Sequence, residues 1–95
     1  MQRVGQYFLA DATTKGAQAN MTKPTILVVD DEPQVGAMLS LHLKRFGLEV
    51  TLVEGGFAAW AELAKTRFDC VLTDLVMPDG DGFWLLEKLS SLSHP

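Results

Sequence analysis

Two short apolar runs, each ending in acid, constrain this chain more than anything else in it. Ile26-Leu27-Val28-Val29 leads into Asp30, Asp31 and Glu32, with Pro33 next, and Cys70-Val71-Leu72-Thr73 leads into Asp74 and a loop dense in Pro and Gly. Continuous β-branched and aliphatic runs of this length suit strands covered on both faces of a parallel sheet. Both finish in carboxylates. Two neighbouring parallel strands ending in acids at the same edge would bring Asp30, Asp31 and Asp74 into one crevice, the place where open α/β sheets bind their ligands.

Between these runs the pattern alternates. Thr25 to Asp30 reads as a first, central strand, and Pro33 suits the first turn of a helix, with Asp31 or Glu32 as its N-cap. Val35, Leu39, Leu43 and Phe46 recur at helical spacing, and Gly47 stops the helix. Leu48 to Val53 alternates as an edge strand, Gly55-Gly56 turns the chain, and Ala58 to Lys65 forms a short helix packing through Ala59, Trp60, Leu63 and Ala64. Phe68 to Asp74 is a third strand. Phe83, Leu85, Leu86 and Leu89 mark a third helix that fades into Ser90 to Pro95. Strand and helix alternate throughout, which predicts parallel strands with right-handed crossovers.

Residues 1–22 show no clear period and read as a disordered extension, with Met21 as an alternative start, while 25–95 carry the folded unit. At 95 residues the chain holds one small domain. A net charge of −4 with only 8 scattered Lys and Arg argues against nucleic-acid binding. No apolar run approaches a membrane span, and Tyr7-Phe8-Leu9-Ala10 is too short for a signal-peptide core, so the expected location is the cytoplasm. The lone Cys70 reads as a buried, reduced thiol.

Three clustered carboxylates repel one another unless a cation offsets their charge, and an oxygen-only donor set suits Mg2+ better than a transition metal. Neither His42 nor His94 stands in a ligand cluster. A carboxylate beside Mg2+ can also attack a phosphoryl group, and Asp74, alone at its strand end, is the candidate nucleophile. Asp30 and Asp31 would then hold the metal. Bland readings stand beside these: Asp31 or Glu32 as a helix cap, Asp79 and Asp81 as solvated turn residues, Trp60 and Trp84 as packing residues. Asp79-Gly80-Asp81-Gly82 lacks the spacing and closing Glu of an EF-hand loop.

Taken together, Ile26 to Pro33, the Glu54-Gly55 turn, Phe68 to Asp74 and Met77-Pro78-Asp79-Gly80-Asp81-Gly82 resemble the receiver domain of two-component response regulators. The resemblance implies a flavodoxin-like α/β fold, of which only the first three strand–helix units are present, the chain being C-terminally truncated. It implies Asp74 as phospho-acceptor, and Asp30, Asp31, Asp74 and the backbone carbonyl of Val76 as Mg2+ ligands. A sensor histidine kinase or phosphotransfer protein would be the donor, and the domain a regulatory phosphoacceptor rather than an enzyme. The family's fourth-strand Ser or Thr and fifth-strand Lys have no counterpart, and Lys88, in the third helix, is no substitute. Truncation would leave the third strand as an open edge, a route to self-association. Two alternatives stay open. One is a non-switching receiver that serves as an interaction module. The other is a Mg2+-dependent phosphohydrolase with an aspartyl nucleophile, against which Glu32 stands two residues after Asp30 where a second Asp is expected.

Overall fold

The computed structural model describes residues 7–11, 23–77 and 80–93. The alternation read from the sequence is present: β2 (Thr25–Val29), α1 (Pro33–Arg45), β3 (Glu49–Val53), α2 (Gly56–Lys65), β4 (Cys70–Asp74) and α3 (Gly82–Ser93). A further strand, β1 (Tyr7–Asp11), precedes them. The sheet order is β1-β4-β2-β3, with β2 parallel to both β3 and β4. Three parallel strands alternating with three helices are the arrangement that a flavodoxin-like fold implies. As expected, β2 is central and β3 lies at an edge.

Alternation along β2 builds two packed faces. Leu27 and Val29 join Ala59, Phe68, Val71, Met77 and Leu85 in the main core, with Trp60, Leu63, Trp84 and Leu89 packed against it from α2 and α3. Val28 is level with Leu52 of β3, and Leu52 lies against Gly36 of α1, so α1 covers the other face. Each fully buried aliphatic side chain contributes about 1.5–3 kcal/mol through removal from water.

Some expectations need correction. In α1 the buried positions are Gly36 and Ser40, with Val35, Leu39 and Leu43 half-buried beside them. Phe46 is 84% exposed because it lies past the helix end, where Phe46-Gly47 turns the chain. Helix α2 begins two residues earlier than expected, at Gly56, and α3 continues to Ser93. Phe83 is exposed, while Trp84 packs edge-on to Phe57 and Trp60 with ring centroids at 4.8 and 6.4 Å. The Trp residues are packing groups, as expected. His42 is exposed on α1, and Cys70, expected to be buried, is half-buried.

The largest difference is at the N-terminus. Residues 7–11 are not disordered: they pair antiparallel with β4 over five positions, from Tyr7 opposite Asp74 to Asp11 opposite Cys70. The rest of the extension, 1–6 and 12–22, lies outside the described residues. The sheet is therefore mixed rather than purely parallel, and the β4 edge expected to be open for self-association is occupied by the chain itself. The physical reason is backbone satisfaction. The edge of β4 offers a row of peptide groups beside an apolar strand, and a β-prone segment from the same chain meets them at high effective concentration.

At the opposite end of the sheet from the acids, Asp69 ties the entry of β4 to the start of β2. Its Oδ2 accepts from the Thr25 backbone N–H at 2.7 Å, and its own N–H donates to Thr25 Oγ1 and to the Thr25 carbonyl, each at 3.0 Å. Replacing Asp69 by Ala leaves the Thr25 amide unsatisfied and should cost about 1–2 kcal/mol. For a domain of this size that lowers Tm by roughly 4–16 °C. A circular-dichroism melt of Asp69→Ala beside the parent chain measures it; an unchanged Tm would show that water replaces the clamp.

Candidate functional site

Parallel pairing places Val29 opposite Thr73, so the residues that follow, Asp30 and Asp74, leave the sheet at the same level. Both are 1% exposed. Asp31, one residue on, is half-buried, and one carboxylate oxygen from each of Asp30, Asp31 and Asp74 lies within 4.8 Å of the other two. The three acids singled out from the sequence are thus brought together. Glu32 is not among them: it occupies the N-cap position of α1, with Pro33 at the first helical position, and its side chain makes no capping bond.

Local hydrogen bonds orient two of the carboxylates. The Asp30 N–H donates to the Val53 carbonyl at 3.0 Å, which carries the sheet ladder one residue past β2. Its Oδ1 accepts from the Glu32 N–H at 2.9 Å, and its Oδ2 accepts from the Tyr7 hydroxyl. Asp74 Oδ1 accepts from the Val76 N–H at 3.1 Å, which draws that peptide beside the carboxylate. The Thr73 hydroxyl, fully buried, donates to the Asp74 carbonyl at 3.0 Å.

The loop after Asp74 is held shut by two close approaches. Gly82 N–H donates to the Leu75 carbonyl at 3.1 Å, and a Cβ on Gly82 would stand 2.4 Å from the Asp74 carbonyl oxygen. Gly56 N–H donates to the Gly80 carbonyl at 2.7 Å, and a Cβ on Gly56 would stand 2.1 Å from that oxygen. No side chain fits at either place, so the starts of α2 and α3 can close around the loop only as glycine. Asp81, expected as a solvated turn residue, instead caps α3: its Oδ1 accepts from the Trp84 N–H at 2.9 Å. Asp79 and His94 lie outside the described residues. Lys88 sits over the Trp84 ring, 5.7 Å from its centroid, rather than at a strand end.

The donor set fits a hard divalent cation. All three donors are carboxylate oxygens, two of them buried, and oxygens on one Mg2+ lie at most about 4.2 Å apart, twice its bond length. A spacing within 4.8 Å is a small side-chain adjustment from that. Tyr7 is the residue that sequence reasoning missed. The signal is weak, because a four-residue apolar patch says nothing about which strand it will join. Gly56 falls in the expected chain turn and Gly82 in the expected loop, and their close contacts emerge only once the loop is folded.

Comparison with known proteins agrees with this geometry. The response regulator receiver domain family matches residues 26–95. The chain is 41% identical over 76 residues to the 3',5'-cyclic-nucleotide phosphodiesterase regA of Dictyostelium discoideum, which covers 78% of this chain and 9% of that protein. It is 40% identical to the probable transcriptional regulatory protein TcrX of Mycobacterium tuberculosis, covering 70% of this chain and 29% of that protein. It is 39% identical to the sensor protein GacS of Pseudomonas syringae pv. syringae, covering 70% of this chain and 7% of that protein. The chain spans less than a third of the length of each of these relatives, so the likeness is to one shared module within larger and dissimilar proteins. With its acids gathered where two parallel strands end and the family match running through them, this chain belongs to the response regulator receiver domain family.

Proposed function

We propose that the chain accepts a phosphoryl group on Asp74 from the phosphohistidine of a sensor histidine kinase or phosphotransfer protein, in the cytoplasm, and that Asp30, Asp31, Asp74 and the Val76 carbonyl hold Mg2+. The observation that carries this reading is the convergence of the three carboxylates within 4.8 Å at the ends of β2 and β4. It makes the chain a regulatory phosphoacceptor rather than a turnover enzyme. Among the described residues no helix is long and apolar enough to cross a membrane.

The chemistry is a displacement at phosphorus. One Asp74 carboxylate oxygen forms the new P–O bond as the P–N bond to the donor imidazole breaks, and the imidazole leaves with the nitrogen electron pair and takes up a proton from solvent. Bound Mg2+ supplies charge neutralisation for the phosphoryl oxygens and for the carboxylates. The rest falls to the chain's own residues. The Val76 N–H, on Asp74 Oδ1, fixes the rotation of the carboxylate and leaves the attacking oxygen to the other side. Asp30 and Asp31 set the negative charge that a cation must balance, and Gly56 and Gly82 let the loop close over Asp74. No specific observation favours the interaction-module or phosphohydrolase readings.

Incubation with Mg2+ and a labelled small acyl phosphate, or with a phosphorylated kinase, should place one alkali-labile phosphoryl group on each chain. Asp74→Asn should reduce uptake by about a hundredfold or more, because the amide is not a nucleophile. Undiminished uptake by that variant would refute the assignment. Independently, Mg2+ at ten times its Kd should stabilise the fold by about 1.4 kcal/mol, a rise of roughly 6–11 °C in Tm. Asp30→Asn should abolish most of that rise in the same melt, and an equal rise in the variant would remove Asp30 from the metal site.

A further inference from the structure

Strand β1 does more than cover an edge. Its antiparallel register sets Tyr7 opposite Asp74, at the end of the sheet where the acids gather, and the Tyr7 hydroxyl donates to Oδ2 of Asp30. Asp30 Oδ1 is already held by the Glu32 N–H at 2.9 Å. Both oxygens of the buried Asp30 therefore accept a hydrogen bond, one from its own helix entry and one from a strand outside residues 26–95, which the family match spans.

We infer that Tyr7 is an affinity determinant of the acidic site: its hydroxyl competes with a divalent cation for the electron density of Asp30 Oδ2, so that cation binding and the docking of Tyr7 weaken one another. This inference rests on the reading of Asp30, Asp31 and Asp74 as a Mg2+ site. A hydroxyl proton and a metal ion seek the same carboxylate electron density, and hydrogen bonds to a charged acceptor are stronger than neutral ones. The competition has a structural route. Tyr7 stands at the end of the five-residue pairing of β1 with β4, and Leu9, two residues along on the same face of β1, is 61% exposed. Withdrawal of the strand end that carries Tyr7 gives up edge pairing with β4 and leaves the pairing of β2 with β3 and β4 in place. Release of Tyr7 also frees the end of the β4 edge beside Asp74, so occupancy of the acidic site and pairing at that edge are coupled. The phenol acts here through its hydrogen bond and the space it fills.

Two measurements on the full 95-residue chain test this, with Mg2+ as the only ligand. Calorimetric titration should show Tyr7→Phe binding Mg2+ on the order of tenfold more tightly than the parent chain, since the cation no longer displaces a charge-assisted hydrogen bond. Because Tyr7 is the only tyrosine, a single 13Cζ-tyrosine resonance reports its hydroxyl in the parent chain, and Mg2+ should move it to the position of a solvated phenol. Should Tyr7→Phe fail to give a cooperative melt, Tyr7→Leu carries the same expectation. Equal or weaker Mg2+ binding by a folded variant, or Mg2+ binding that leaves the tyrosine resonance in place, overturns the competition while leaving the metal site intact. Absence of Mg2+ binding in both parent and variant overturns the metal site and the competition together.

Discussion

The in-register parallel pairing of β2 with β4 is the constraint on which the acidic site depends. Val29 opposite Thr73 puts Asp30 and Asp74 one residue beyond the last paired positions. A slip of one residue would displace one acid by about 3.3 Å along the strand and turn its side chain to the other face of the sheet. Burial favours the register: Leu27, Val29 and Val71 are all fully buried in the same core, and a one-residue slip of β4 would turn Val71 out of it. Hydrophobic packing thus sets the geometry of a charged site several residues away.

Packing and charge oppose one another at this edge. Carboxylates that repel would separate if they could, and buried ones lose hydration as well. They stay close because each stands on a rigid support: Asp30 on a backbone bond to Val53, Asp74 on β4 and the Val76 amide. Around them the glycine contacts at positions 56 and 82 lock the loop to two helix starts. A site built this way is preorganised for a compact, multiply charged ligand, because its donors are positioned before the ligand arrives.

The N-terminal strand shows how an edge finds a partner. A parallel sheet of three strands has two edges, and β3 manages its own with polar residues such as Glu49 and Thr51, whereas β4 is apolar and bears the acid that matters most. Pairing with β1 satisfies the β4 backbone and brings a hydroxyl to Asp30. Edge protection and access to the acidic site are thereby joined in one five-residue segment.

Much of this was legible in the sequence. The β-branched runs, the helical spacing of Leu39 and Leu43, and Pro33 after the acids determined the alternating elements, because strand and helix periodicity are local properties of the chain. The gathering of Asp30, Asp31 and Asp74 was legible too, since acids at the ends of adjacent parallel strands must share an edge. Tertiary structure alone decided the rest. Nothing in Tyr7-Phe8-Leu9 names β4 as its partner, because strand pairing depends on which edge is left free after the core has formed. Phe46 and Phe83 fit a helical stripe yet stand in solvent, because exposure depends on what the neighbouring elements cover. The glycines at 56 and 82 gained their role only when distant segments met there, a contact that no local pattern encodes.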